Sequence, residues 1–307
     1  MRILVAGGDS MTFSIVARDP ESGALGVAMQ TCMLGAGAVV PWARPGVGAV
    51  ATQAITETAY GPRCLDAMRA GADAAGALAA AQAADPAAFL RQVGAVSADG
   101  SAAAVTGEWC IDHAGHLLGD GYAVQANMMA SPEVWPAMAE AFGRPAGSFP
   151  RRLLAALDAG QAAGGDARGT MAAALLVVDG QPCDPWAGRL VDLRVDRSED
   201  PLGDLRRLLD ASEAYDGFNR AAEALFAGDA PTALARIGPA LAALPGEENL
   251  RFLRAGALLA TGDTEGGRAE LRSLITARPT WEIIVRSFAA KGLIALPPSV
   301  TVDSLLP

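Results

Sequence analysis

The chain has 307 residues, a formal net charge of −10 and four cysteines that form no CxxC pair. The acidity disfavours nucleic acid and anionic membranes as partners, and no basic run offsets it. No apolar run reaches the roughly 20 residues of a membrane span and residues 1–10 are too weakly apolar for a signal peptide, so we expect a cytoplasmic protein with free cysteines.

A predicted β-hairpin begins at Thr12. The apolar run that starts there ends in a turn of Asp, Pro, Ser and Gly residues, and a second apolar run covers residues 25–33. Glycine- and proline-bounded runs predict strands at 35–40 and 47–55. Helical composition follows at 62–83, with a break near Gly71 and a short helix from Asp85-Pro86 to residue 91.

The middle of the chain predicts strands again, and then helices. The Asp99-Gly100 pair predicts a hairpin between strands at 93–96 and 102–105. The remaining predicted elements are a strand at 122–128, helices at 131–142 and 150–160, and strands at 172–179 and 190–195. This order suits either two packed sheets with helices outside or an α/β fold with a parallel sheet, and periodicity does not separate them.

The tail beyond the charged linker at 196–201 is predicted to be helical. The triplets Ala227-Gly228-Asp229 and Thr261-Gly262-Asp263 lie 34 residues apart, as do Pro245 and Pro279. This is the spacing of tetratricopeptide repeats, although an ordinary helical bundle is the alternative. Two repeats and a partial third rarely stand alone, so we expect the tail to lean on the first domain or on another subunit of a homo-oligomer, and to offer a surface to a peptide or protein partner.

Several short motifs resemble one known family. They are the run of residues 12–20 and the run of residues 46–54, together with Tyr60-Gly61-Pro62, Gly115-His116, Gly121-Tyr122 and Asn127-Met128. They resemble the bacterial domain-of-unknown-function family 1028, which is similar in fold to the N-terminal-nucleophile (Ntn) hydrolases. The resemblance covers roughly the first two thirds of the chain and implies a four-layer αββα sandwich over residues 12–196. With the small all-α helical-repeat domain that the 34-residue spacing predicts at 201–307, the expected fold class is α+β. Residues 1–11 would be an N-terminal extension absent from the mature protein.

The resemblance implies that Thr12 is a catalytic nucleophile. A free α-amine has a pKa near about 7.7–8.0 and can act as general base for the hydroxyl of the same residue. Translation from Met11, or cleavage after it, would free that amine. The alternatives are an ordinary strand threonine, or a retained extension over an inactive site.

Two more residues are candidates for a catalytic role. His116 matches a family position, with a loop histidine bonded to backbone as the alternative. Asn127 could donate to an oxyanion, or simply end a strand. The single lysine, Lys291, lies in the tail, so the first domain has no lysine to place beside Thr12.

Substrate binding is predicted at six further residues, each with an ordinary structural alternative such as an ion pair or a cross-strand contact. They are Arg18, Arg44, Thr52, Gln53, Asp166 and Arg168. The last two match a Gly-Asp-x-Arg-Gly pattern of the family, and the surrounding loop lacks the phosphate-loop and dinucleotide patterns.

We expect no metal and no organic cofactor. Cys110, His113 and His116 are spaced at three, but a zinc site needs four ligands with paired spacings. The leading hypothesis is therefore an N-terminal-threonine amidohydrolase acting on a small amide or peptide-like substrate. The alternative is a non-catalytic binding or assembly module that retains the fold.

Overall fold

The computed structural model describes residues 9–10, 12–144, 147–294 and 301–305. The chain forms two compact units, Met1–Leu208 and Leu209–Pro307. The first unit is mixed α+β with antiparallel sheets, and the second is helical. No helix among the described residues has the length and apolar character that crossing a membrane requires.

The first unit contains two sheets, and every strand pair in them is antiparallel. The first sheet, sheet A, consists of β1 (Asp9–Ser10), β4 (Pro41–Arg44), β5 (Gly48–Ile55), β6 (Arg91–Ser97) and β7 (Ala102–Thr106). The second, sheet B, consists of β2 (Thr12–Arg18), β3 (Leu25–Thr31), β8 (Gly115–Gly119), β9 (Tyr122–Ala126), β10 (Ala172–Val178) and β11 (Arg189–Val195). The order in sheet A is β1-β5-β6-β7, with β4 also on β5; the order in sheet B is β11-β10-β3-β2-β9-β8. The alternative of a parallel sheet is therefore wrong.

Side-chain alternation along β2 explains how the two sheets meet. Val16 belongs to a buried cluster that also holds Met29 of β3, Ala51 of β5 and Val96 of β6, so this face of β2 looks towards sheet A. Phe13 points the other way, where the position of a Cβ on Gly160 would lie 3.2 Å from its ring. The hairpin predicted at Thr12 is thus confirmed as β2 and β3.

Four helices cover the remaining faces of the two sheets. On sheet A, α1 (Tyr60–Arg69) and α2 (Ala74–Ala83) bury apolar side chains against Val50 and Val93. On sheet B lie α3 (Val134–Phe142) and α4 (Phe149–Ala162). The helix break predicted near Gly71 is confirmed, since α1 and α2 are separate there.

Two local predictions were wrong, and two short strands were missed. Residues 35–40 form a short 3-10 turn, Ala36–Ala38, after Gly35, whose φ of 65° ends any extended run. The helix predicted from Asp85-Pro86 is a 3-10 turn, Ala88–Leu90, and β6 already begins at Arg91. Strands β4 and β8 were not predicted at all, because they are four and five residues long.

The 34-residue period reappears in the helices of the C-terminal part. They are α5 (Pro201–Phe226), α6 (Ala230–Ala243), α7 (Glu248–Ala260), α8 (Thr264–Ala277), α9 (Trp281–Ala290) and α10 (Val302–Leu305). Helix α8 begins and ends 34 residues after α6 does. Each is capped by the aspartate of a Gly-Asp pair, since Asp229 accepts from the Thr232 nitrogen and Asp263 from that of Gly266.

Candidate functional site

Thr12 begins the inner strand β2, and its side chain is fully buried. Its hydroxyl oxygen, Oγ1, has no hydrogen-bond partner among the residues that the structure describes. The Thr12 carbonyl, by contrast, accepts from Gln53 Nε2 at 2.8 Å and from the Asn127 backbone nitrogen at 3.2 Å. A buried hydroxyl without a partner costs roughly 1–3 kcal/mol and is uncommon in native proteins. Gln125 Oε1 and Gln30 Oε1 are likewise buried without a partner in the described residues, but Thr12 Oγ1 is the hydroxyl in this state.

The residues just before Thr12 carry the chain into sheet A. Asp9 and Ser10 form β1 and pair with Ile55 and Ala54 at one edge of β5. Ala54 has a φ of 70°, a left-handed conformation that is uncommon for a residue with a side chain. Because Thr12 follows Met11 in this chain, its nitrogen belongs to a peptide bond, and an amide nitrogen cannot act as a general base.

A line of hydrogen-bonded amide side chains crosses the space between the sheets beside Thr12. Gln125 Nε2 donates to Ser14 Oγ at 2.6 Å, and that hydroxyl donates to Gln53 Oε1 at 2.6 Å. Gln53 Nε2 then donates to the Thr12 carbonyl and, at 2.7 Å, to Gln92 Oε1. All these side chains are fully buried. The bonds tie β2 and β9 of sheet B to β5 and β6 of sheet A around the Thr12 backbone.

Gln92 is the centre of this amide network. Its Oε1 accepts from Asn127 Nδ2 at 2.8 Å as well as from Gln53. Its Nε2 donates to the Ala126 carbonyl at 2.8 Å and to Thr106 Oγ1 at 2.9 Å. Gln92 thus fixes the Asn127 amide, whose Nδ2 also approaches the Thr12 carbonyl at 3.4 Å.

The network fits only because residue 94 is glycine. A Cβ on Gly94 of β6 would stand 2.2 Å from Gln125 Oε1, far inside van der Waals contact. The absent side chain leaves the room that the Gln125 amide occupies between the sheets.

His116 is connected to Thr12 only through the hydrogen bonds of other side chains. It lies on β8, where Nδ1 shares a hydrogen bond of 2.9 Å with Thr106 Oγ1. Thr106 in turn connects to Gln92. Burial lowers the pKa of His116, because the charged imidazolium is the form that loses solvation. The side chain is therefore a neutral end of the network, without a direct bond to Thr12.

A buried carboxylate lies on the other side of Thr12. Thr12 is paired with Thr31 of β3, and the next residue, Cys32, donates its backbone N–H to Asp166 Oδ2 at 3.3 Å. The Asp166 side chain is fully buried and binds the Arg168 guanidinium through Nε at 3.2 Å and Nη2 at 3.0 Å. Burial, followed by the Asp166 charge, raises the pKa of the Cys32 thiol to about 11, so Cys32 is not a thiolate nucleophile at neutral pH.

Comparison with known proteins identifies the family. A family of unknown function, DUF1028, matches residues 12–205, so the matched region begins at Thr12. The chain belongs to the DUF1028 family. The crystal structure of protein SPO2555 from Silicibacter pomeroyi, described with the same family, is similar at a TM-score of 0.60 and 36% sequence identity, over 65% of this chain and 85% of that one. No curated protein matches significantly.

Two predicted binding residues of this DUF1028 protein lie away from Thr12. Arg18 ends β2, six residues and about 20 Å along the strand from Thr12, and its Nε donates to the Ala98 carbonyl at 2.8 Å. Arg44 pairs with Gly48 at the corresponding end of sheet A and forms an exposed ion pair with Asp66. Both arginines therefore lie at the opposite end of the two sheets.

A cavity of about 740 Å³ lies at that opposite end. The residues that line it include Arg44, Arg69, Asp73, Ser97, Asp99 and Cys183. Hydrogen bonds from the Ser97 hydroxyl and then from the Ser101 backbone nitrogen lower the pKa of Asp99, which stays ionised there. This end of the DUF1028 domain is open and charged.

Thr52, Cys110 and His113 do not join the network. Thr52 Oγ1 donates to the Glu57 carbonyl at 3.1 Å and so holds the loop after β5. Cys110 Sγ donates to the Arg91 carbonyl and His113 Nδ1 bonds to the Met129 carbonyl, so these residues and His116 have separate partners. Within the described ranges, no group of three His, Cys, Asp or Glu residues is arranged to hold a metal ion.

Sequence reasoning missed most of the network. Ser14, Gln92, Gln125 and Thr106 were assigned no role. The available signal was a large amide residue within, or at the start of, an otherwise apolar strand. Such a residue must find partners when both faces of its sheet are covered.

Proposed function

We propose that this DUF1028 protein is an N-terminal-threonine amide hydrolase whose mature chain begins at Thr12. The observation that carries the proposal is the buried Thr12 hydroxyl, which has no hydrogen-bond partner in the described part of the chain while the Thr12 carbonyl accepts from Gln53 and Asn127. The family match that starts at Thr12 supports it. So does the order of helices and sheets, which is compatible with the αββα sandwich of Ntn hydrolases.

In the proposed reaction, the free α-amine of Thr12 takes the proton of its own hydroxyl. Oγ1 attacks the carbonyl carbon of an amide substrate, and the amine returns the proton to the leaving nitrogen. The resulting ester on Thr12 is then hydrolysed by water that the same amine activates. No cofactor is needed for these steps, and no lysine or histidine has to contact Thr12.

Asn127 is the proposed oxyanion donor. The Asn127 Nδ2 group carries two hydrogens. Nδ2 donates one of them to Gln92 Oε1, at an N···O distance of 2.8 Å, and approaches the Thr12 carbonyl with the other at only 3.4 Å. That second hydrogen is the one we assign to the developing oxyanion, where a donor of this kind contributes about 3–4 kcal/mol. Gln53 and Gln92 are positioning residues, and His116 acts through Thr106 to hold the Gln92 amide.

Arg168 is the proposed binding group for a charged end of the substrate. Asp166 orients the guanidinium, and the Asp166 carboxylate lies next to the strand end that pairs with Thr12. Side-on pairing through Nε and Nη2 fixes the plane of the guanidinium, as bidentate recognition of a carboxylate requires.

The alternative is a non-catalytic module that keeps the extension. Its supporting observation is the pairing of Asp9 and Ser10 with β5 directly before a Thr12 that has no exposed surface. In that case the segment before Thr12 is a permanent edge strand, and the amide network serves only to join the sheets.

For the helical unit we propose a tetratricopeptide-like surface that takes a peptide or protein partner. The 34-residue repeat of helix bounds supports it. A second support is a cavity of about 510 Å³ at the starts of α7 and α9, lined in part by Glu248, Asn249, Arg278, Trp281 and Ile284.

The test compares two chains, one that starts at Met11 and one that starts at Met1. Intact mass shows whether the first matures to Thr12. Both are then given a β-lactone, which acylates nucleophilic hydroxyls, and a panel of amino-acid anilides and N-acyl amino acids. We expect Thr12 to be labelled, and an amide to be hydrolysed, in the chain that begins at Thr12 only. A native protein whose mass retains residues 1–11, together with a trimmed chain that resists labelling, would favour the non-catalytic module.

A further inference from the structure

The two edges of sheet B differ in how they are protected. The edge strand β11 carries Arg189, Asp192 and Arg194, and charges on an edge discourage pairing with another strand. The other edge strand, β8, reads Gly-His-Leu-Leu-Gly and carries no carboxylate, lysine or arginine. Leu117 and Leu118 of β8 are 41% and 52% exposed.

The apolar surface continues beside β8. Trp109 and Ile111, in the segment before the strand, are 51% and 53% exposed. The Ile111 carbonyl accepts from the Met128 nitrogen at 3.2 Å, which holds this segment against the end of β9. Single exposed apolar residues are ordinary, but several along one edge mark an interaction surface.

On the side away from β9, the backbone of β8 presents N–H and C=O groups that another strand could bind. Asp120 and Gly121 alone connect Gly119 to its partner Tyr122, so the hairpin closes with a two-residue turn. Hydrogen bonding alternates along an antiparallel ladder that starts from this pair. The N–H and C=O groups of His116 and Leu118 therefore point away from β9, and β8 is the last strand of sheet B in the described part of the chain.

We propose that β8 pairs with the β8 strand of a second copy of this chain, antiparallel and centred on Leu117. In that register Leu117 faces Leu117, His116 faces Leu118 and Gly115 faces Gly119, so all five residues are paired. The outward backbone groups of His116 and Leu118 then bond to each other across the two-fold axis. A two-fold contact needs a self-complementary surface, and this strand provides one.

The charge of the chain favours this place over the rest of the surface. Two copies with a formal charge of −10 each repel one another, so they associate best where charged residues are absent. The five residues of β8 carry no carboxylate, lysine or arginine, with exposed Asp112 and Asp120 flanking them, whereas β11 itself carries three charged residues. This inference does not depend on whether Thr12 is catalytic.

The mass of the full chain in solution tests the pairing. We expect a dimer by light scattering at tens of micromolar. Leu118→Lys should weaken the dimer at least about tenfold, because the lysine occurs twice in the symmetric contact. The matched control is Leu190→Lys, since Leu190 is 50% exposed on the opposite edge strand β11 and should leave the dimer intact. Equal melting temperatures show that both variants fold.

Oxidative cross-linking tests the register. Directly opposed residues of antiparallel strands have Cβ atoms about 4.5–5.5 Å apart, so Leu117→Cys should give a disulfide-linked dimer. All chains in this test carry Cys183→Ser, because Cys183 is exposed, and neither that parent chain nor its Leu190→Cys variant should cross-link. A monomeric wild-type chain overturns the proposal. A dimer that Leu118→Lys leaves unchanged and Leu117→Cys fails to cross-link also overturns it.

Discussion

The two ends of the paired sheets differ in how their polar side chains are accommodated. At the Thr12 end, neutral amide side chains are fully buried and bonded to one another around Gln92, whereas the Thr12 hydroxyl has no partner among the described residues. At the other end, charged side chains such as Arg44 and Asp66 meet at the surface around an open cavity. The first arrangement is costly to disturb, because a broken network leaves buried groups without partners, whereas solvent replaces an exposed ion pair.

This difference explains why charged residues that are close to Thr12 in sequence do not locate the candidate site around it. Arg18 is six residues from Thr12 in sequence, yet the extended strand carries it to the opposite end. Gln53, Gln92 and Asn127 are far apart in sequence and meet at the Thr12 carbonyl and its neighbours. The proposed chemistry depends on neutral donors held in place rather than on a cluster of charge.

The largest expected effect is at Thr12 itself. In the chain that begins at Thr12, Thr12→Ala should reduce amide hydrolysis to background, and Thr12→Ser should retain a fraction because a primary hydroxyl remains. Steady-state assays on the substrate found in the panel measure this. Thr264→Ala, which removes a hydroxyl from the helical unit, is the control and should match wild type. Undiminished hydrolysis by Thr12→Ala would remove the nucleophile from the proposal.

The centre of the network should matter far more to stability than the charged end. Gln92→Leu removes the Oε1 acceptor that Asn127 Nδ2 and Gln53 Nε2 share, and also the Nε2 donor to the Ala126 carbonyl. We expect a loss of about 3 kcal/mol. That corresponds to a fall in melting temperature of roughly 6–12 °C for a unit of this size. Calorimetry should show a much smaller shift for Arg44→Met. Equal shifts for the two variants would mean that the two ends do not differ in this way.

Gly94→Ala sharpens the same contrast with a single added methyl group. The new Cβ would displace the Gln125 amide, which we expect to cost about 1–3 kcal/mol in urea unfolding. Gly238→Ala is the matched control, since Gly238 lies in α6 with open space around it and alanine favours the helix. A Gly94→Ala variant as stable as wild type would show that Gln125 moves without cost.

The smallest expected effect is the pH dependence that His116 adds. Burial holds the pKa of His116 below its ordinary value of about 6.5, so below that pH the unfolded chain binds more protons than the folded one. Stability should therefore fall as the pH drops from about 6.5 towards the lower folded pKa. His116→Gln should show a shallower loss between pH 7.5 and pH 5.5 in urea unfolding. An identical loss would assign the acid sensitivity to other groups.

The sequence predicted those parts of the fold that depend on local patterns. Alternation after Thr12 and the Asp-Pro-Glu-Ser-Gly turn were enough for the β2–β3 hairpin, and Gly71 marked the break between α1 and α2. The run at 35–40 looked like a strand because its residues are small and apolar, but the left-handed Gly35 starts a turn. Strand β8 was not predicted because only three residues lie between its terminal glycines, Gly115 and Gly119, which is too short for a recognisable pattern.

The candidate site was predictable only where a motif marked it. Thr12, Asn127 and the Asp166–Arg168 pair came from the family resemblance. Gln92 belongs to none of those motifs. Its partners lie on other strands, because β6 pairs with β5 and Gln92 Nε2 bonds to the Ala126 carbonyl of β9. The position of Arg44 likewise depends on strand direction, which spacing along the chain does not contain.

The central claim is that the free α-amine of Thr12 activates its own hydroxyl. The most direct measurement is the rate of Thr12 acylation by the β-lactone as a function of pH, followed by intact mass in the chain that begins at Thr12. The rate should rise with a midpoint near the α-amine pKa of about 7.7–8.0, and His116→Gln should leave that midpoint in place. A midpoint near about 6.5 that disappears in His116→Gln would identify histidine as the base and contradict the account.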